Sequence, residues 1–152
     1  MRSAARLLII GVAVMLMPGF VQAQCPGKCE RACLQAAADA FARSVPDNKM
    51  FLMSVEDLAR MVDEGNTELV ILDVRPAQVY AKGHIKGSMS VPLPMVVEQM
   101  GGIPTQKKIA VVCSMDTNSA FAVAILRMHG RDAWIVDGGV IAWEGLGREL
   151  TK

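Results

Sequence analysis

Two wholly apolar runs, LVILD at 69–73 and KIAVVC at 108–113, constrain the fold of this chain more than any other feature. A strand with one wet face alternates apolar and polar residues. These runs do not alternate, so each is expected to be buried on both faces, as happens when helices cover both sides of a parallel sheet. The chain from Lys49 onward keeps a strand–helix rhythm around them. MFLM (50–53) reads as a short strand, and SVEDLARMVDEGN as a helix with Ser54 at its N-cap, Asp57 in the first turn, Leu58 and Val62 on one face and Gly65 as its stop. PAQVYAKG reads as a short helix or turn, SMSV as a brief strand and PMVVEQMGG as helical. A helix is expected from Asn118 to His129, closed by Gly130, with Ala120, Ala122, Ala124, Ile125 and Met128 available for packing. DAWIV is then a last strand and GGVIAWEGLG a last helix. Strands joined by helices of this length form right-handed βαβ units. The 152 residues leave room for one ordinary domain, and 52% apolar with 20% charged residues is enough to give it a core.

The first residues follow a different pattern. MRSAAR supplies two arginines, LLIIGVAVMLM is apolar throughout, and PGFVQA adds a helix break and a small-residue end. That order describes a secretory signal peptide spanning 1–23, with cleavage expected near Ala23. The apolar run falls short of the roughly 20 residues a membrane span requires, so no span is expected in the mature chain, which would be periplasmic or secreted. Gln22 and Gln24 disfavour the competing lipid anchor through Cys25. Losing Arg2 and Arg6 leaves one basic residue fewer than acidic ones, and the basic residues occur singly, so no nucleic-acid partner is expected. Residues 24–47 then form a cysteine-containing loop and an alanine-rich helix with Leu34, Ala37, Ala38, Phe41 and Ala42 on one face. Pro46 ends it, and the main domain is expected over 48–152.

Open parallel sheets bind ligands at the carboxyl ends of their strands. Cys113 lies at such an end, and the helix that follows turns its unpaired amides and positive dipole end toward the loop. A thiolate, or an anion attached to it, would be stabilised there without any side-chain cation. Position alone leaves this reading and that of a buried structural thiol both open.

VILDVRP (70–76), YAKGHIKGSMSVPL (80–93), KIAVVCSMDTNS (108–119) and WIVDGGVIAW (134–143), in this order and spacing, resemble a single-domain rhodanese of the sulfurtransferase family. The resemblance runs from about Met50 to Leu150. It implies a five-stranded parallel sheet with helices on both faces, to which the N-terminal cysteine-containing helix is added. It also implies that Cys113 accepts a sulfane sulfur as a persulfide and passes it to a nucleophile. The six residues from Cys113 to Asn118 match the loop with which sulfurtransferases wrap a persulfide in backbone amides; Ser114, Met115, Asp116, Thr117, Asn118 and Ser119 would form that cradle. Related phosphatases use a longer C-x5-R loop, but here Ser119 stands six places after Cys113 and no arginine follows before Arg127. A phosphoryl clamp would lack its cation.

The loop also departs from the CRSGNRS-like pattern of many active members. Ser114 and Asn118 stand at its arginine positions and Asp116 at its glycine. Asp116 is expected to raise the thiol pKa and to repel a doubly charged donor, making thiosulfate a poor substrate. Asp73 and Arg75 read as a charge pair near the base of the loop, although Val79 occupies the position where the family often has a glutamate partner. The resemblance assigns His84 to fixing a turn, with proton transfer as the alternative. Trp143 and Gly138–Gly139 are expected to pack the last helix, and His129 to sit at a helix C-terminus.

Cys25, Cys29 and Cys33 stand four residues apart. In an oxidising compartment a disulfide is expected, Cys25–Cys29 first and Cys25–Cys33 next, because two helical cysteines four residues apart are about 6 Å apart at Cβ and a disulfide needs roughly 3.5–4.5 Å. A thiol relay to Cys113 and a soft-metal site are the alternatives. Three thiolates without a histidine make an incomplete zinc site, and the 11 methionines form no clustered copper motif, so neither metal nor cofactor is expected. The expected function is an exported sulfurtransferase whose partners are a sulfane-sulfur donor and a thiol acceptor, protein thiols among them. Its alternative is a degenerate binding or thiol-redox module that uses the N-terminal cysteines.

Overall fold

The computed structural model describes residues 31–46 and 50–152. The expected domain boundary at 47–48 and the segment 1–30, with Cys25, Cys29 and the cleavage site, lie outside these described residues. Five strands, β1 (Leu52–Met53), β2 (Leu69–Asp73), β3 (Met89–Ser90), β4 (Lys108–Val112) and β5 (Asp132–Val136), form one parallel sheet in the order β1-β5-β4-β2-β3. The two apolar runs are β2 and β4, paired in register from Leu69 opposite Lys108 to Asp73 opposite Val112.

Side chains of β4 alternate between two cores. Ile109, Val111 and Cys113 pack on the side of α4 (Thr117–Met128), with Ala122, Val123 and Leu126. Ala110 and Val112 pack on the other side with Leu58 of α2 (Val55–Asp63) and with Val140 and Trp143 of α5 (Gly139–Gly145). Helices therefore cover both faces, and each fully buried Val, Leu or Ile contributes roughly 1.5–3 kcal/mol. The alternation also fixes which way Cys113 points.

Ser54 caps α2 as expected, its Oγ accepting the Asp57 N–H at 3.1 Å. Ser54→Ala should lower stability by about 1 kcal/mol in urea denaturation, through one orphaned helix amide.

Several expectations require correction. The first strand begins at Leu52, because Met50 and Phe51 take left-handed φ of 39° and 59°. Packing holds Phe51 there: Phe41 of α1 (Arg31–Ser44) and Trp134 flank its ring, each at 6.2 Å, and the Arg127 guanidinium lies 3.6 Å from its centroid. Burial pulls the Arg127 pKa below the ordinary arginine value, against the opposing pull of Asp132. PMVVEQMGG is not an α-helix; Leu93–Met95 and Met100–Gly102 form separate 3-10 turns beside Pro92 and the Gly101–Gly102 pair. On α4, Ala122 is buried and Ala124 and Ile125 half-buried as expected, but Ala120 and Met128 are exposed, and Ser119, Val123 and Leu126 are buried as well. On α1, Leu34, Ala38 and Ala42 face outward, and the half-buried line is Cys33, Ala37, Phe41 and, just beyond the helix, Val45. α3 (Ala77–Tyr80) completes the helices. Among the described residues no helix is long and apolar enough to cross a membrane.

Candidate active site

Cys113 directly follows β4 at the carboxyl edge of the sheet, and α4 begins four residues later. Its side chain is only 4% exposed. Sγ donates to the Met115 carbonyl at 2.9 Å and lies 3.6 Å from Ser119 Oγ. The Ser119 hydroxyl in turn donates to Asp116 O at 2.8 Å, which leaves its lone pairs facing the thiol. The cradle expected from Ser114 to Ser119 is thus only partly formed around sulfur. Met115 and Ser119 touch Sγ, while Ser114, Thr117 and Asn118 are exposed. Met115 presents a carbonyl to Sγ where the cradle calls for an amide.

The loop carbonyls are fixed from the opposite side of the sheet. Val140 N–H donates to Cys113 O at 2.9 Å and Ile141 N–H to Ser114 O at 3.2 Å, so unpaired amides of the first turn of α5 hold the loop. In a planar trans peptide the next residue's N–H points opposite to the carbonyl. The Ser114 and Met115 amides are therefore turned away from the first turn of α5. Gly138 and Gly139 make this close approach feasible, with φ of 69° and 54°. A Cβ on Gly139 would stand 2.4 Å from Cys113 O and 2.5 Å from Met115 O.

Asp116 does not point freely at the thiol. Its Oδ1 accepts the Gly138 N–H at 2.8 Å, tying the loop to the β5–α5 turn. Asp73 and Arg75 form a buried pair, 0% and 5% exposed. Arg75 Nη2 lies 2.7 Å from Asp73 Oδ2 and donates to Gly83 O at 2.8 Å; Asp73 Oδ1 also accepts the Arg75 backbone N–H at 3.0 Å. The pair sits level with Val112, one residue before Cys113. His84 lies apart from the loop: its ring stacks on Tyr80 at 3.9 Å, Nδ1 meets Tyr80 O at 3.2 Å, and its backbone bridges to Thr151. Cys33 is half-buried on α1. Among the described residues no cluster of three or more His, Cys, Asp or Glu could hold a metal ion.

A sequence model of the rhodanese-like domain matches residues 54–146. The chain belongs to the rhodanese-like domain family. The thiosulfate sulfurtransferase GlpE of Pseudomonas paraeruginosa is 29% identical over 110 residues, covering 72% of this chain and 89% of that relative. The HTH-type transcriptional regulator Rv0324 of Mycobacterium tuberculosis is 28% identical over 87 residues; the match covers 56% of this chain and only 38% of the regulator. Among solved structures, a rhodanese-related protein from Thermoplasma volcanium superposes with a TM-score of 0.60 at 27% identity, covering 65% of this chain and 95% of that one. Relatives named sulfurtransferases support a sulfurtransferase-type activity at the level of the family.

Two groups at this rhodanese-like site escaped the reading of the sequence. The Val140 and Ile141 amides orient the loop, and the Gly138–Gly139 pair serves the loop as well as the packing of α5. The consecutive glycines directly after β5 were the available signal, since two left-handed residues at a strand end mark a close backbone approach.

Proposed function

We propose that this rhodanese-like protein is an exported sulfurtransferase that carries sulfane sulfur on Cys113 and uses thiosulfate poorly. The observation that carries the proposal is the placement of Cys113, at a strand end before the N-terminus of α4, in a loop whose first two carbonyls are held outward by α5. In the forward step the Cys113 thiolate attacks the outer sulfur of a persulfide donor. The donor's S–S bond breaks, its thiolate leaves with the electron pair, and Cys113 holds a persulfide anion. An acceptor thiolate then attacks the outer sulfur and Cys113 leaves as a thiolate. Entry of the outer sulfur requires the Met115 carbonyl to turn away from Sγ, because an anion has no proton to give it. The Ser114 and Met115 amides and the first turn of α4 then face the negative charge.

Although the relative from P. paraeruginosa is named for thiosulfate, residues 114–119 hold no cation and one carboxylate. A dianion meets only repulsion from side chains there. The proposal is tested by comparing donors on the mature protein: kcat/KM for glutathione persulfide should exceed that for thiosulfate about tenfold or more. Rapid thiosulfate turnover would contradict the electrostatic part.

The burial of Cys113 under the Met115 carbonyl also favours a second reading, a thiol module that works through Cys25, Cys29 and Cys33. Sulfur adducts confined to those three cysteines would distinguish it.

A further inference from the structure

We propose that Asp116 is a positioning residue for sulfur transfer, acting as a tether and not only as a repelling charge. The proposal rests on the sulfur-transfer reading above and adds a role that no loop glycine could fill. The Asp116 Oδ1 to Gly138 N–H bond, 2.8 Å long, joins residues 22 apart in the chain. With the bonds from Val140 and Ile141 to Cys113 O and Ser114 O, it makes three attachments of the 113–116 loop to the β5–α5 turn and the first turn of α5. The other two turn the Ser114 and Met115 amides away from α5. The third fixes the far end of the same loop, next to Met115, the peptide that must rotate when a persulfide forms.

Asp116 is half-buried and its backbone carbonyl is also held, by Ser119 Oγ at 2.8 Å and Ala120 N–H at 2.9 Å. Both ends of residue 116 are therefore anchored, one to α4 and one to the β5–α5 turn. The Met115 peptide can then turn about a fixed point without the loop drifting away from Cys113. Losing the tether should reduce the chemical step more than substrate binding, because a misplaced amide fails where charge collects.

Asp116→Asn and Asp116→Ala separate tether from charge. Asparagine keeps an acceptor oxygen for Gly138 N–H and removes the charge; alanine removes both. With glutathione persulfide as donor, Asp116→Asn should keep kcat within about threefold of the parent, whereas Asp116→Ala should lower kcat about tenfold with KM little changed. The Gly138 amide should exchange slowly with deuterium in the parent and in Asp116→Asn, and fast in Asp116→Ala. Equal kcat values for the two variants, or a Gly138 amide that exchanges fast in the parent, would overturn the tether. Gly138 exchange is read without turnover, so a protein that carries no sulfur at all would refute the sulfur-transfer reading and leave the tether to be judged by exchange alone.

Discussion

Arg75→Leu should destabilise the fold by about 3–5 kcal/mol, among the largest losses any single substitution in this chain can cause. Asp73 is fully buried, and among the described residues its carboxylate is matched only by the Arg75 side chain and backbone N–H. Removing the guanidinium leaves an uncompensated charge in the core beside β4, and also releases Gly83 O, which Arg75 Nη2 holds at 2.8 Å. Asp73→Asn combined with Arg75→Met should recover much of the loss: the charge is gone, and the Asn oxygen still accepts the Arg75-position backbone N–H. Urea denaturation of the three proteins measures both effects. A loss under about 1 kcal/mol for Arg75→Leu would mean that the pair is not the buried support of the site that its geometry describes.

Cys113→Ser should lower sulfur transfer about a thousandfold or more while leaving the fold intact. A serine hydroxyl cannot carry a persulfide, so the two-step path through Cys113 is lost. The same hydroxyl can donate to the Met115 carbonyl in place of the thiol, so no buried acceptor is orphaned. Steady-state turnover with glutathione persulfide and an acceptor thiol measures the loss, and thermal unfolding checks that the variant remains folded. Retention of most activity would move the chemistry away from Cys113.

The sequence made some parts of this fold plain and hid others for physical reasons. β2 and β4 were readable because strands buried on both faces cannot carry a polar residue mid-run, and Ser54 was readable because its cap is local. The packing side of α4 was only partly readable, since AFAVAIL is apolar on every side: Ala122 was expected in the core, Val123 and Leu126 were not. The buried polar residue is Ser119, which a hydrophobic pattern does not pick out. On α1 the alanine-rich composition likewise widened the expected stripe: Ala37 and Phe41 are half-buried, and Leu34, Ala38 and Ala42 face outward. The place of Cys113, at a strand end before a helix, was legible from KIAVVC. The direction of its loop carbonyls was not, because amides beyond position 137 set it through the tertiary fold. Asp116 shows this most clearly: in sequence it is a negative charge beside a cysteine, and in the fold it is also an acceptor for a distant amide.

The most direct test of the central claim is a peptide mass spectrum of the mature protein after incubation with glutathione persulfide. One added sulfur atom is expected on the peptide containing Cys113, removed by an acceptor thiol and absent from Cys113→Ser. No adduct at Cys113, or adducts only at Cys25, Cys29 or Cys33, would contradict it.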